Sequence, residues 1–296
     1  MTTNLLFART ATFLKMVLIF AALAVLFGSG VIASADKMTP DEVIAKHLAA
    51  IGPAETLAGV KTRLVSGNVN ARFRLTNTRV EVSGPAVLAS DGNKVVLGMG
   101  FNANNYPFEK AAFDGEKVTV GILPSGGRSR LADFLIAQEL VMKHGLLGGE
   151  LSSAWPLYNP IAKDVKLTYA GTDKINGRQV HKLKYTPKNA GNLQTTLYFD
   201  AETFQHVRSQ YEYAIPARQG SDPTLSAAQR ESRFKLIEEF SDFKPVDKLT
   251  LPHKYHLELI LETQDRTQTM EYDIDFADYS FNQVIAPTEF NVSKNG

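Results

Sequence analysis

The histidines come first among the residues whose types and spacing suit chemistry. His253 and His256 stand three apart, a spacing that puts two ligands on one face of a helix. Their segment, Lys254–Leu261, reads as a strand, where positions three apart point to opposite faces, so the pair is structural. His181 and His206 fall on neighbouring predicted strands and could meet across a sheet, but no acidic third ligand accompanies them. Asp200 and Glu202 form a carboxylate pair suited to acid–base work, yet they sit in Tyr-Phe-Asp-Ala-Glu-Thr-Phe between two strands. There the expected role of Asp200 is to hold a hairpin turn. Ser125-Gly126-Gly127 lacks the flanking glycine of a nucleophile elbow, and Gly145, Gly148 and Gly149 follow a helical segment rather than precede one. No catalytic, metal or cofactor constellation is expected, and an enzyme of lipid metabolism is the least favoured reading.

Composition narrows the rest. The 296 residues include 32 Lys+Arg against 31 Asp+Glu, and 44% are hydrophobic, as in globular proteins. A net charge of +1 argues against a nucleic-acid partner. With no cysteine, disulfides, zinc–thiolate sites, thiol nucleophiles and lipidation of an N-terminal Cys are excluded.

The first 35 residues read as a signal peptide. Arg9 and Lys15 precede the apolar run Met16–Phe27, and Ala33-Ser34-Ala35 supplies small residues, Ala33 and Ala35 at the cleavage positions. The alternative is an inner-membrane anchor formed by residues 16–32, 17 residues broken by Gly28, Ser29 and Gly30. Without Arg9 and Lys15 the remaining chain, 36–296, has 30 basic and 31 acidic residues. The expected product is an exported, periplasmic, near-neutral single domain.

Thr39-Pro40-Asp41-Glu42 opens a helix, with Thr39 as cap, Pro40 in the first turn and Glu42 three residues on; Gly52-Pro53 ends it. From Val60 to Leu123, β-branched and aromatic runs divided by Gly84-Pro85, Asp91-Gly92-Asn93 and Asp114-Gly115 suggest four or five strands. Leu131–Leu147 is apolar over most of a helical wheel, so as a helix it must be covered on several sides or touch something apolar that is not protein. After Val165 the chain is β again, with Asn176-Gly177 as its strongest hairpin signal and 216–229 as a long loop. In Met270–Phe276, apolar residues alternate with Glu271, Asp273 and Asp275. The sum is a mainly β, α+β fold. About 10–11 antiparallel strands curl into an unclosed half-barrel with a helical lid.

What this pattern offers is apolar capacity. Leu131, Phe134, Leu135, Leu146, Leu147 and Trp155 either plug one face of the sheet or form a lid over a lipid cavity. Alternation then places Leu197 and Phe199, Val207, Tyr211 and Tyr213, and Tyr255, Leu257, Leu259 and Leu261 on the inner wall.

Three segments carry a family resemblance. They are Ile175-Asn-Gly-Arg-Gln-Val-His-Lys-Leu183, Leu197-Tyr-Phe-Asp-Ala-Glu-Thr203 and Phe240-Ser-Asp-Phe-Lys-Pro-Val-Asp-Lys-Leu-Thr-Leu-Pro-His253. Together they resemble the periplasmic outer-membrane lipoprotein-sorting proteins of the LolA/LolB-like superfamily, over most of residues 38–292, with Lys248 in place of the usual Gly. The resemblance implies an unclosed barrel with helices as its lid and a non-enzymatic carrier for the acyl chains of lipids or lipoproteins. It also implies a membrane-bound donor or acceptor protein, and an inner-strand cation, Arg72 or Arg74, that tunes cargo release. The alternative is an envelope-stress sensor of the same fold that binds a membrane regulatory protein, with the 216–229 loop as its surface.

Overall fold

The computed structural model describes residues 38–75, 78–158, 164–217 and 231–292. The expected signal peptide, with Ala33 and Ala35, lies outside the described residues, as does the 216–229 loop from residue 218 onward. The chain divides into Met1–Met38 and Thr39–Gly296, and every described helix and strand belongs to the second unit.

Helix α1 (Pro40–Ile51) begins as the sequence dictates. Thr39 Oγ1 accepts from the Glu42 amide at 3.3 Å, and the Glu42 carboxylate accepts from the Thr39 amide at 2.7 Å. Its face of Val43, Ile44, His47 and Ile51 is buried, and a short helix α2 (Ala54–Gly59) follows.

The first β half comprises β1 (Thr62–Leu75), β2 (Thr78–Asp91), β3 (Lys94–Gly100), β4 (Phe108–Phe113) and β5 (Val118–Val120). The second comprises β6 (Val165–Ile175), β7 (Arg178–Pro187), β8 (Gln194–Asp200), β9 (His206–Ile215), β10 (Ser232–Val246), β11 (Leu249–Glu262) and β12 (Thr267–Phe281). All twelve form one antiparallel sheet ordered β5-β4-β3-β2-β1-β12-β11-β10-β9-β8-β7-β6. The last strand pairs with the first, which joins the two halves, while β5 and β6 remain as free edges, so the sheet is unclosed.

Among the described residues there are twelve strands, against about 10–11 expected. Gly84-Pro85 does not divide a strand: β2 runs through it, paired with β1 from Thr78↔Leu75 to Asp91↔Thr62. The β2–β3 ladder starts only at Ala86, so the missing amide of Pro85 costs no ladder bond there. A side chain at Gly84 would meet the Gly100 carbonyl oxygen at 2.0 Å.

The expected helix over Leu131–Leu147 is broken. Helix α3 (Arg130–Ala137), capped by Ser129, ends at Gln138, a single turn α4 (Leu140–Lys143) follows, and the chain then loops through 3-10 turns at Gly149–Leu151 and Pro156–Tyr158. Its residues are apolar on all sides because they fill the hollow of the sheet. Gly148 and Gly149, at φ 80° and 50°, occupy a conformation that disfavours side chains. A Cβ on Gly148 would lie 2.6 Å from Leu88 of β2, and one on Gly149 would lie 2.9 Å from His206 of β9 and from Phe240 of β10. On a flat sheet β2 and β9, five strand spacings apart, would be separated by about 24 Å. Adjacent residues that touch both require the sheet to curl around them.

The opposite face of β2–β4 is covered by the C-terminal segment, where Phe290 and Val292 pack on Ala89, Val96 and Ala112. No helix among the described residues is long and apolar enough to cross a membrane.

Candidate functional site: an apolar hollow at one end of the sheet

Thirteen of the fifteen residues expected to line a lipid cavity are buried: the six from 131–155, Leu197, Phe199, Tyr211, Tyr255, Leu257, Leu259 and Leu261. They are packed against protein. Phe134 lies 5.5 Å from Tyr213, which stacks on Phe234 at 4.7 Å, and Trp155 stacks on His206 at 4.7 Å. Tyr213 is half-buried. Val207 corrects the alternation argument: a register shift at Tyr198/Phe199 moves it out of phase, and it lines a depression with Arg178, Glu239, His256 and Asp273. The segment around Trp155 is thus the plug and not a lid over open space.

That plug is clamped by buried polar groups. Glu238 accepts from the Gly148 amide at 2.6 Å and from the Tyr211 and Tyr255 hydroxyls at 2.5 and 2.6 Å. Burial pushes its carboxyl up, and these three donors work against that rise. Glu150 Oε2 lies 2.8 Å from His206 Nδ1, and Ser209 Oγ lies 3.1 Å from His206 Nε2. Ser209, His206 and Glu150 were not grouped at the sequence level, because residues 56 and 59 apart share a site only once the plug folds back.

The trio has the order of a hydrolase triad without its function. His206 Nε2 also lies 3.0 Å from the Arg208 carbonyl, which can only accept, so Nε2 carries a hydrogen and is no base toward Ser209. Both side chains are fully buried as well, so no substrate reaches the hydroxyl.

The other candidates find separate partners. His181 bonds Tyr169, His253 bonds the Leu251 carbonyl, and His256 bonds Asp273 at 2.7 Å. Asp200 accepts from the amides of Glu202 and Thr203 at 3.0 and 2.9 Å, the turn role expected of it. Among the described residues no group of three His, Asp or Glu could hold a metal ion. Arg72 and Arg74 are not inner-strand cations. They bind Glu271, and Arg72 also binds Asp273, on the face opposite Tyr272 and Ile274.

Open, partly apolar space lies elsewhere: one hollow of about 670 Å³ borders Leu48, Leu57 and Tyr158 beside the first two helices, and a second lies at the β1–β2 end of the sheet. Where β1 turns into β2, Phe73, Val80 and Val82 face Met270 and Tyr272 of β12, the loop Ala103–Tyr106 and the approach to α3, Leu123 and Arg128–Arg130. They enclose a hollow of about 560 Å³. Its lining includes no carboxylate and two arginines, Arg128 and Arg130, whose side chains are 46% and 58% exposed. None of the fifteen expected residues lines it. The usable signal was Ala71/Phe73 alternating into Val80/Val82 across a turn, which put apolar side chains at a strand tip where polar ones are usual.

Within this wall, Tyr106 stacks on Phe101 at 5.2 Å and meets Phe73 edge-on at 5.0 Å. Its hydroxyl donates to Glu109 of β4 and lies 2.9 Å from that of Tyr272. Glu109 is 3% exposed, and burial raises its carboxyl to about 7, against hydrogen bonds from Ser129 and Tyr106.

No family model matches the sequence, and no curated protein matches it. Among solved structures the chain is similar to a LolA superfamily protein, NE2245, from Nitrosomonas europaea. The identity is 12% over 87% of this chain and 99% of that one, with a TM-score of 0.46. It is also similar to a putative outer membrane lipoprotein-sorting protein domain from Vibrio parahaemolyticus (11%, 86% and 96%, TM-score 0.39). A DUF1329 family protein from Desulfovibrio piger ATCC 29098 gives 10%, 86% and 98%, with a TM-score of 0.38. These likenesses carry no residue role across to this chain.

Proposed function

We propose that this protein is a non-enzymatic, exported carrier that holds the acyl chain of a lipid or lipoprotein in the hollow between the β1–β2 tip and the start of α3. The observation that supports this is the hollow itself: its about 560 Å³ falls within the usual range of about 300–1,000 Å³ for small-molecule sites. Burying ten methylenes there contributes about 8 kcal/mol before ordering costs. Arg128 and Arg130 share the single carboxylate of Asp133, and the positive charge left over suits an anionic head group at the rim. Cargo passes to or from a membrane-bound donor or acceptor in this reading. The sensor alternative drew on the 216–229 loop, and no observation among the described residues favours it.

The test is native mass spectrometry of residues 36–296, purified from an exporting host without detergent. The expected result is a mass excess that denaturation releases as an acylated molecule and that Val80→Asp with Val82→Asp removes. A clean mass together with no uptake of a fluorescent fatty acid would overturn the reading.

A further inference from the structure

Besides Asn104, Asn105, Gln268 and the two arginines, the lining of the hollow carries one cluster of hydroxyls that is backed by a buried carboxyl. Tyr106, Ser129 and Tyr272 all contribute to its lining, and Glu109 lies directly behind them. We propose that Tyr106, Ser129 and Glu109 form a polar subsite that takes the carbonyl oxygen of a fatty acyl group, with Glu109 deciding whether the wall offers that oxygen a hydrogen. This inference rests on the hollow being the ligand site.

Counting hydrogens gives the reason. The Tyr106 hydroxyl gives its hydrogen to Glu109, so across the 2.9 Å contact between the two phenols Tyr272 is the donor and Tyr106 the acceptor. Ser129 also donates to Glu109, and its oxygen accepts from the Ala132 amide at 2.9 Å. With Glu109 ionised, every hydroxyl hydrogen of the cluster points away from the hollow. The cluster then presents only lone pairs, which repel a carbonyl oxygen. A neutral Glu109 supplies its own hydrogen to Tyr106 or Ser129, and that hydroxyl is freed to turn its hydrogen toward the hollow.

The groups around Glu109 favour a neutral form within the ordinary pH range. Asp133 of α3 adds like charge and raises its carboxyl, in the same direction as burial. From β12 the phenol of Tyr272 is linked to Glu109 through the Tyr106 hydroxyl, and the β3 partner of Glu109 is the apolar Met99. Arg128 and Arg130 are both engaged with Asp133, at 2.9 and 3.9 Å. With its carboxyl at about 7, the neutral fraction of Glu109 falls from about 0.9 at pH 6 to about 0.1 at pH 8. Affinity for a carbonyl-bearing ligand should fall about tenfold over that interval.

The test displaces the neutral fluorophore N-phenyl-1-naphthylamine from residues 36–296 with methyl dodecanoate, dodecanoate or dodecane, at pH 6 and pH 8. Methyl dodecanoate should bind about tenfold more tightly at pH 6, while dodecane shows no change. Dodecanoate binding as strongly pH-dependent as the ester assigns the subsite to free acid as well as ester; dependence in the ester alone restricts it to esters. Glu109→Gln should keep the tighter ester affinity at both pH values, and Tyr106→Phe should lose the preference for ester over alkane. Equal pH dependence for ester and alkane, or its persistence in Glu109→Gln, would overturn the subsite while leaving the hollow as the site. Failure of fluorophore and alkane to bind at either pH removes the hollow as the ligand site, and the subsite with it. If the variants do not fold, carboxyl NMR of wild-type Glu109 decides. Its midpoint should rise further on adding ester and stay put on adding alkane.

Discussion

Trp155 Nε1 donates to His47 Nε2 at 3.1 Å, which fixes the proton of His47 on Nδ1, where it donates to the Phe204 carbonyl at 3.1 Å. Both nitrogens of a fully buried ring are satisfied in the neutral form, so α1 is tied to the plug and to the β8–β9 turn by one uncharged side chain.

Burial holds His47 down at about 4, against an unfolded value near 6.5. The unfolded chain therefore binds more protons between those values, and His47 costs stability as pH falls from 6.5 to 4. The full loss is about 3 kcal/mol. Urea unfolding followed by Trp155 fluorescence at pH 6.5 and pH 4.5 should show a smaller difference in His47→Gln than in wild type. Glu109 acts in the opposite direction. Its raised carboxyl costs stability as pH rises from 4.5 through about 7, so Glu109→Gln should flatten that limb and leave the acid limb of His47 in place.

The trio of Ser209, His206 and Glu150 should behave as a clamp. Glu150→Ala or His206→Ala leaves a buried partner unmatched and should cost about 3–5 kcal/mol. Ser209→Ala should cost about 1 kcal/mol. A fluorophosphonate probe should leave Ser209 unlabelled in the folded protein; stoichiometric labelling there would contradict the structural role.

Phe134 and Val80 separate plug from hollow. Phe134→Ala removes a ring that is 2% exposed and should cost about 3–5 kcal/mol. Val80 is 39% exposed, so Val80→Asp should change the melting temperature little and weaken ligand retention. Equal stability losses in the two variants would show that the hollow is part of the core.

Gly148 should tolerate no side chain. At φ 80°, with Leu88 2.6 Å from a would-be Cβ and its amide held by Glu238, Gly148→Ala should destabilise by more than about 1 kcal/mol. Gly177, also at positive φ but with open space around it, should be the milder site on thermal melting.

The sequence by itself determined the elements whose signals are local. The capping box of Thr39 and Glu42, the Asn176-Gly177 and Asp200 turns, and the alternation of β12 all depend on residues within a few positions of one another. The curl followed too, because so many strands seldom stay flat. Which apolar residues fill space and which border it was decided only by the tertiary structure. Periodicity reports that Tyr255 and Met270 each face inward, but not that the chain between 138 and 158 folds back so that Gly148 shares the Glu238 carboxyl with Tyr255. The hollow at Phe73, Val80 and Met270 joins residues nearly 200 positions apart through the β1–β12 pairing. The grouping of Glu150 with His206, and of Tyr106 and Glu109 with Tyr272, has the same origin. Long-range contacts leave no mark in local pattern, because each partner there satisfies only the general rule that its face is buried.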